Sequence, residues 1–80
     1  MLNVSVISPE AILYEGQTDS VVAPAYDGEV GILTGHAPMM TLLGKVVLRL
    51  GDGQRFNVDG GFLQVVDNAV RVVTERASAG

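Results

Sequence analysis

The feature that most constrains this fold is a period-two alternation of apolar and polar residues, interrupted by turn residues every eight to ten positions. Residues 2–6 and 45–50 show it most clearly, with valine or leucine at every second position. Successive side chains of a β-strand point to opposite faces, so this pattern indicates strands with one buried face. No window carries the i, i+3, i+4, i+7 apolar spacing of a helix long enough to pack. The sequence therefore predicts an all-β fold.

Turn residues divide the alternating runs into about seven to ten short strands. Ser8-Pro9 ends the first strand, and both residues 51–53 and Gly60-Gly61 turn the chain. Asp67-Asn68 suits a two-residue hairpin, because both residue types tolerate positive φ. The apolar runs on either side of Glu15-Gly16 are either joined by a tight turn or belong to one long strand with a bulge. Short strands with such frequent turns predict an antiparallel β-sandwich.

The 80 residues suffice for one domain, which we expect to span residues 1–75. A domain of this size buries only about 60 % of the surface of its unfolded chain, so nearly every apolar strand position must face the core. From Arg76 onward, alanine and serine replace the β-branched residues, and residues 76–80 are predicted to be a C-terminal tail. The chain has no cysteine, so the core must be stable without disulfides.

The charge and hydropathy patterns argue against nucleic acid and membrane insertion. The net charge is −4, with one lysine and four scattered arginines, so no basic stripe is present to neutralise phosphates. The N-terminus lacks the order of a signal peptide, and no apolar run approaches the ~20 residues of a membrane span. These patterns indicate a cytoplasmic chain without direct membrane insertion.

Residues for catalysis or metal binding are sparse. His36 is the only histidine, no cysteine exists to pair with it, and no serine lies in a nucleophile motif. The nine acidic residues are scattered without the spacing of a metal site. We therefore predict no catalytic residue, no metal site and no cofactor.

The stretch from Val22 to Leu42 is the densest in conformationally special residues. It holds two of the three prolines, three of the ten glycines and the histidine. Such a stretch predicts a shaped loop or short hairpin, with a turn at Asp27-Gly28 and a strand over residues 29–33. Met39 and Met40 are adjacent, so in an extended segment only one is expected to reach the core. We interpret this stretch as the working surface.

Two residues of this stretch have two interpretations each. A histidine between Gly35 and Ala37 either caps a turn by bonding a backbone group or contacts a partner. Glu29 is either a solvated charge on a strand or a contact residue on a protruding hairpin.

The run from Gly28 to Pro38, GEVGILTGHAP, resembles the signature of the epsilon subunit of F-type rotary ATP synthases. The resemblance continues through Gly44-Lys45-Val46 and Gly60-Gly61-Phe62 and covers roughly residues 2–75. Thr34 departs from the pattern, because many family members carry proline there.

The resemblance implies a non-catalytic rotor part. In this family the sandwich domain binds the gamma subunit and sits on polar loops of the membrane c-ring, coupling proton-driven rotation to ATP synthesis. It implies a hetero-oligomeric complex peripheral to the cytoplasmic face of an energy-transducing membrane such as the bacterial inner membrane. The residues that it implies at the gamma and c-ring contacts are Glu29, Gly31, Ile32, His36, Ala37, Pro38, Met39 and Met40.

Family members commonly continue into a C-terminal pair of helices that can inhibit ATP hydrolysis and, in some, bind ATP. The present sequence stops where those helices would begin, so we expect neither helix-mediated inhibition nor an ATP site.

Two other functions compete for an all-β chain of this length. A lipoyl or biotinyl carrier module needs its modified lysine at an exposed hairpin tip, whereas Lys45 opens a strand. A small-molecule-binding sandwich needs an apolar pocket, and four aromatic residues offer little to line one.

Overall fold

The computed structural model describes residues 1–25 and 28–79, and these residues form strands but no helix. Accordingly, no helix in this part of the chain is long and apolar enough to cross a membrane. The strands of the described residues are β1 (Leu2–Ile7), β2 (Ile12–Thr18), β3 (Ser20–Ala25), β4 (Gly28–Leu33), β5 (Met39–Leu42), β6 (Lys45–Leu50), β7 (Arg55–Asp59), β8 (Phe62–Val66), β9 (Ala69–Val73) and β10 (Arg76–Ala79).

Within the described residues, the strands form two five-stranded sheets. The first sheet has the order β2-β1-β9-β8-β5, and the second has the order β10-β7-β6-β3-β4. The predicted β-sandwich is therefore confirmed. One pair departs from the antiparallel expectation, because β1 and β9 run parallel with Asn3 opposite Ala69 and Ile7 opposite Val73.

The core lies between the two sheets. Alternate residues of β1, β8 and β9 meet alternate residues of β3, β6 and β7, as the period-two pattern predicts. Leu48 and Leu50 are buried on the inner face of β6, while Lys45, Val47 and Arg49 are exposed. In the described part of the chain, every buried side-chain polar atom has a hydrogen-bond partner. The described side chains therefore add no unpaired polar atom to the core.

Of the two alternatives for Glu15-Gly16, a tight turn or a bulge within one strand, the structure excludes the turn because β2 runs through both residues. Both residues lie inside a continuous strand, where Glu15 pairs with Ser5 and Gly16 with Val4. The register of this strand pair shifts nearer the start of β2, since Val6 pairs with Tyr14 and Ile7 with Ile12. The chain instead changes sheet at Asp19, between β2 and β3.

The predicted hairpin turn at Asp67-Asn68 is confirmed. Both residues have positive φ, 49° and 63°, as a two-residue turn with matching twist requires. The turn joins β8 to β9 with Val66 opposite Ala69. The predicted turn at Asp27-Gly28 lies partly outside the described residues.

The predicted C-terminal tail is a strand for most of its length. Arg76–Ala79 form β10, which pairs antiparallel with β7 at the edge of the second sheet. The chain reaches that sheet through Thr74, which is 2% exposed and donates a hydrogen bond from Oγ1 to the Gly60 carbonyl at 2.7 Å. The small side chain of Ala77 packs against the core there, so the segment pairs despite its weak strand propensity.

Candidate interaction surface

The glycine-rich stretch covers one side of the sandwich. β4 is an edge strand of the second sheet, and β5 is an edge strand of the first. The segment between them, residues 34–38, carries the chain from one sheet to the other. An edge strand leaves one row of backbone groups unpaired, so this side offers both backbone and side-chain groups to a partner.

The strand β4 divides its residues between core and solvent. Glu29, Gly31 and Leu33 are exposed, whereas Ile32 is completely buried between the sheets. Ile32 was expected at the partner contact, and its burial makes that expectation wrong for the side chain. The period-two pattern could have indicated this burial, because Ile32 is three positions from the outward-facing Glu29 and its side chain therefore points to the opposite face.

Glu29 forms an ion pair that the sequence did not reveal. Its Oε2 accepts a hydrogen bond from Nη2 of Arg49 on β6. The two strands are separated by β3, and Arg49 reaches across it on the outer face of the second sheet. A Cβ placed on Gly31 would meet no described atom within 4 Å, so the surface beside Glu29 is open.

The loop that follows β4 is shaped by local hydrogen bonds. Gly35 has φ of 85°, a conformation that favours glycine. The backbone N–H of His36 donates to the Leu33 carbonyl at 3.0 Å. His36 Nδ1 lies 2.7 Å from the Ala37 carbonyl, so Nδ1 carries the proton in this contact. This is the turn-capping role considered for His36, and it leaves Nε2 available to a partner.

The two methionines separate as predicted. Met39 packs against the core, and Met40 on the opposite face of β5 is 66% exposed. Two other apolar side chains of these strands are also exposed: Leu33 at the end of β4 is 62% exposed, and Leu42 at the far end of β5 is 81% exposed. An open groove of about 610 Å³ runs along β5 and includes Pro24, Met40 and Leu42. Because Met40 and Leu42 line the same groove, these two exposed side chains are the stronger candidates for apolar contact with a partner.

Five of the eight expected contact residues form two separate groups. Glu29 and Gly31 lie on the outer face of the second sheet, and we call them with Arg49 the sheet patch. His36, Ala37 and Pro38 lie in the loop beyond the other end of β4 and form the loop patch. At about 3.3 Å per strand residue, Glu29 lies roughly 13 Å from the end of β4 at Leu33, so Glu29 and His36 do not form one polar cluster.

The groups that this surface exposes are suited to ion pairing, hydrogen bonding and apolar contact. Among residues 1–25 and 28–79, no group of three His, Cys, Asp or Glu side chains is placed to hold a metal ion. Tyr14 has a pKa raised by burial and, to a smaller extent, by the Asp52 carboxylate. Tyr14 packs against Phe56 with ring centroids 5.2 Å apart, so it belongs to the packing between the sheets.

A comparison with protein families decides the class of the chain. The model of the ATP synthase delta/epsilon chain β-sandwich domain matches residues 1–80. The chain belongs to this family. The family resemblance inferred from the GEVGILTGHAP run is thereby confirmed.

Relatives of this delta/epsilon-type domain are ATP synthase epsilon chains. That of Leptospira borgpetersenii serovar Hardjo-bovis is 48% identical over an alignment of 80 positions that covers 96% of this chain and 63% of the relative. That of Synechococcus sp. strain JA-2-3B'a(2-13) is 42% identical over an alignment of 82 positions that covers 99% of this chain and 60% of the relative. The delta/epsilon-type domain described here therefore spans less than two thirds of the length of these curated relatives.

Solved structures share the delta/epsilon-type fold. A chain of the Euglena gracilis mitochondrial ATP synthase, in an OSCP/F1/c-ring structure, matches with a TM-score of 0.88 at 20% identity, covering 98% of this chain and 52% of that chain. A chain of the Tetrahymena thermophila mitochondrial ATP synthase central stalk and c-ring matches with a TM-score of 0.79 at 15% identity, covering 96% and 65%. At such low identity, the similarity shows only that these chains share a fold.

The delta/epsilon-type structure also bears on the two competing functions. Lys45 is the first residue of β6 and pairs with Asp59 of β7, so it lies within a sheet instead of at a hairpin tip. The grooves of the described surface are open to solvent, and the one along β5 is lined by an edge strand. Neither feature favours a carrier module or a small-molecule pocket.

Proposed function

We propose that this chain is the sandwich domain of an ATP synthase epsilon subunit and works as a non-catalytic part of the rotor. In this role it binds the gamma subunit and the polar loops of the c-ring, so that proton-driven rotation of the ring turns gamma and supports ATP synthesis. The complex is hetero-oligomeric and peripheral to the cytoplasmic face of an energy-transducing membrane. The family match over residues 1–80 carries this proposal.

The mechanism of this role is adhesion through a stiff surface. A rotor part must transmit torque without yielding, and an edge strand in each sheet anchors the two ends of the loop patch. The apolar side chains of Leu33, Met40 and Leu42 supply the area that a partner covers. Full burial of such a side chain contributes about 1.5–3 kcal/mol, whereas an exposed ion pair contributes about 0–1 kcal/mol. Apolar burial therefore provides more of the affinity than charge does.

In this proposal, Glu29 supplies a carboxylate whose orientation is set before the partner binds. Arg49 occupies one carboxylate oxygen of Glu29, and the other can accept a hydrogen bond from a basic or polar loop of the partner. Arg49 thus holds the carboxylate in place before binding, which reduces the side-chain entropy lost on contact. The open surface at Gly31 lets a partner backbone approach the carboxylate closely.

Reconstitution tests the proposed coupling role. Vesicles containing an ATP synthase stripped of its epsilon subunit are supplied with this chain, and ATP-driven proton uptake is followed with a pH-sensitive dye. We expect the chain to restore uptake in proportion to its binding. Stable binding without any gain in proton uptake over vesicles lacking the chain would contradict the coupling role.

Charge reversal tests the contact surface. Glu29→Lys places a positive charge beside Arg49 and removes the acceptor, so we expect weaker binding to a gamma and c-ring subcomplex, by roughly three- to tenfold for the loss of about 1 kcal/mol. Titration calorimetry measures the change. Glu10→Lys is the matched control, because Glu10 is exposed beside Arg76 and Ala77 at the β10 edge, four strand positions from β4. Equal weakening by both variants would show that net charge, and not this surface, determines binding.

A further inference from the structure

One side chain outside the family signature ties the loop patch to the rest of the sandwich. The backbone N–H of Gly35 donates to Oδ1 of Asn68 at 2.6 Å, across 33 positions of sequence. Asn68 is the second residue of the β8–β9 turn. Its own carbonyl accepts a hydrogen bond from Asn3 N–H at 2.8 Å, so the turn is fixed to β1 as well.

The bond from Gly35 differs in kind from the other bonds of the loop. The contacts of His36 with Leu33 and Ala37 span at most three residues, so they set the local shape of the loop. They do not fix its orientation relative to the first sheet. The Asn68 side chain does, because it belongs to a turn whose strands β8 and β9 lie inside that sheet.

The turn demands two properties of residue 68. Its φ of 63° requires a residue that tolerates the left-handed region, and the tie to Gly35 requires a side-chain acceptor. Asparagine and aspartate satisfy both demands, whereas glycine satisfies only the first. Substitution can therefore remove the acceptor without straining the turn.

We propose that Asn68 is a positioning residue for partner binding, whose side-chain oxygen holds the Gly35-His36 segment in the orientation that meets gamma and the c-ring. This inference rests on the proposed function for the identity of the partner. The tie itself is a property of the isolated chain and can be measured there. Without the tie, the loop samples other orientations, and the fraction competent to bind falls.

Three variants test the positioning role. Asn68→Gly removes the acceptor, Asn68→Asp retains it, and Asp67→Gly changes the neighbouring turn residue as a control. Exchange of the Gly35 amide with solvent is measured by NMR on the isolated chain, and affinity for a purified gamma and c-ring subcomplex is measured by titration. Unfolding in urea reports whether each variant keeps the stability of the parent.

In Asn68→Gly we expect Gly35 exchange to accelerate about two- to twelvefold, the range for loss of one hydrogen bond, and affinity to fall by about two- to tenfold. The urea midpoint stays close to that of the parent, because glycine suits the turn. Asn68→Asp and Asp67→Gly are expected to retain parental exchange and affinity.

Two results would overturn the positioning role. One is an unchanged Gly35 exchange rate in Asn68→Gly, and the other is faster exchange with unchanged affinity. Failure of the parent chain to bind the subcomplex would instead overturn the proposed function, and the exchange rates would still report on the tie.

Discussion

At the scale of single residues, three side chains have their orientation or protonation influenced by identifiable neighbours. His36 uses Nδ1 to hold the turn, and Nε2 takes no part in that contact. Glu29 is more than half exposed and forms an ion pair with Arg49. Tyr14 sits where β2 meets the β6–β7 turn, and its environment favours the neutral phenol. The polar groups of the candidate surface are thus oriented by their neighbours, whereas Tyr14 belongs to the packing between the sheets.

Tyr14 makes stability depend on pH in the alkaline range. Its folded-state pKa is raised, first by burial and then by Asp52, so the unfolded chain ionises earlier, at a pKa of about 10. The folded state then binds more protons than the unfolded state, and the free energy of unfolding falls as pH rises above about 10. Below that value the contribution is fully present.

Replacing Tyr14 by phenylalanine isolates this effect. Tyr14→Phe keeps the ring against Phe56 and removes the titrating hydroxyl. We expect the free energy of unfolding of the variant to fall less steeply than that of the parent as the pH rises above about 10, because only the parent carries the Tyr14 hydroxyl with its raised pKa. Urea denaturation at a series of pH values provides the comparison. Parallel pH profiles would contradict the assignment.

At the scale of elements, short connections determine how the strands meet. The turn between β7 and β8 runs through Gly60-Gly61, with φ of 79° and 109°. A Cβ on Gly61 would lie 1.9 Å from the Val73 carbonyl oxygen and 2.7 Å from Thr74 Cα. Thr74 in turn bonds the Gly60 carbonyl as the chain crosses to the second sheet. The corner formed by Gly60-Gly61 and Thr74 thus fixes the positions of β7, β8 and β10 relative to one another.

An added methyl group at this corner should be poorly tolerated. Gly61→Ala meets backbone atoms that cannot move away and adopts a strained φ, so we expect a loss of about 2–6 kcal/mol in the free energy of unfolding. Gly44→Ala is the matched control, since its Cβ would meet no described atom within 4 Å. The control should change stability by no more than about 0.5 kcal/mol. Similar values for both in urea denaturation would refute the close approach at Gly61.

The hydroxyl of Thr74 can be tested at nearly constant shape. Thr74→Val leaves the partly buried Gly60 carbonyl without this donor, so we expect a loss of about 1–3 kcal/mol. Thr74→Ser keeps the hydroxyl and loses a methyl group, at a cost of about 0.5–1.5 kcal/mol. Chemical denaturation ranks the two variants. A serine variant less stable than the valine variant would mean that packing, and not the hydrogen bond, dominates at this position.

Local patterns in the sequence predicted those elements whose cause is local. Alternation located β6 with its buried face, and Asp67-Asn68 marked a hairpin because residue type alone determines tolerance of positive φ. The parallel pairing of β1 with β9 joins residues more than sixty positions apart, and no local pattern encodes it. β10 was missed because its stability comes from the unpaired edge of β7 rather than from its own propensity.

The candidate surface was predictable in part for the same reason. The stretch itself was recognisable from its glycines, and alternation placed Glu29 outward. Arg49 and Asn68 reach this stretch only through the register of β3 with β6 and of β8 with β9. Those registers depend on the packing of the whole sandwich, so no local pattern indicates that either residue contacts this stretch.

At the scale of the whole molecule, the sandwich brings one edge of each sheet to the same side. The family stretch supplies both edges, β4 and β5, together with the connecting loop patch. The core behind them is apolar and free of unpaired side-chain polar atoms within the described residues. A body whose candidate contact residues lie toward one side suits a rotor part, and this arrangement supports the proposed function that the family match carries.

Direct binding to gamma tests the central claim most simply. The chain is mixed with a purified gamma subunit and passed over a size-exclusion column, with folding of the unbound chain checked by NMR. The account predicts a stable co-eluting complex, weakened by His36→Ala and Glu29→Lys but not by Glu10→Lys. A folded chain that elutes separately from gamma at every concentration tested would contradict the account.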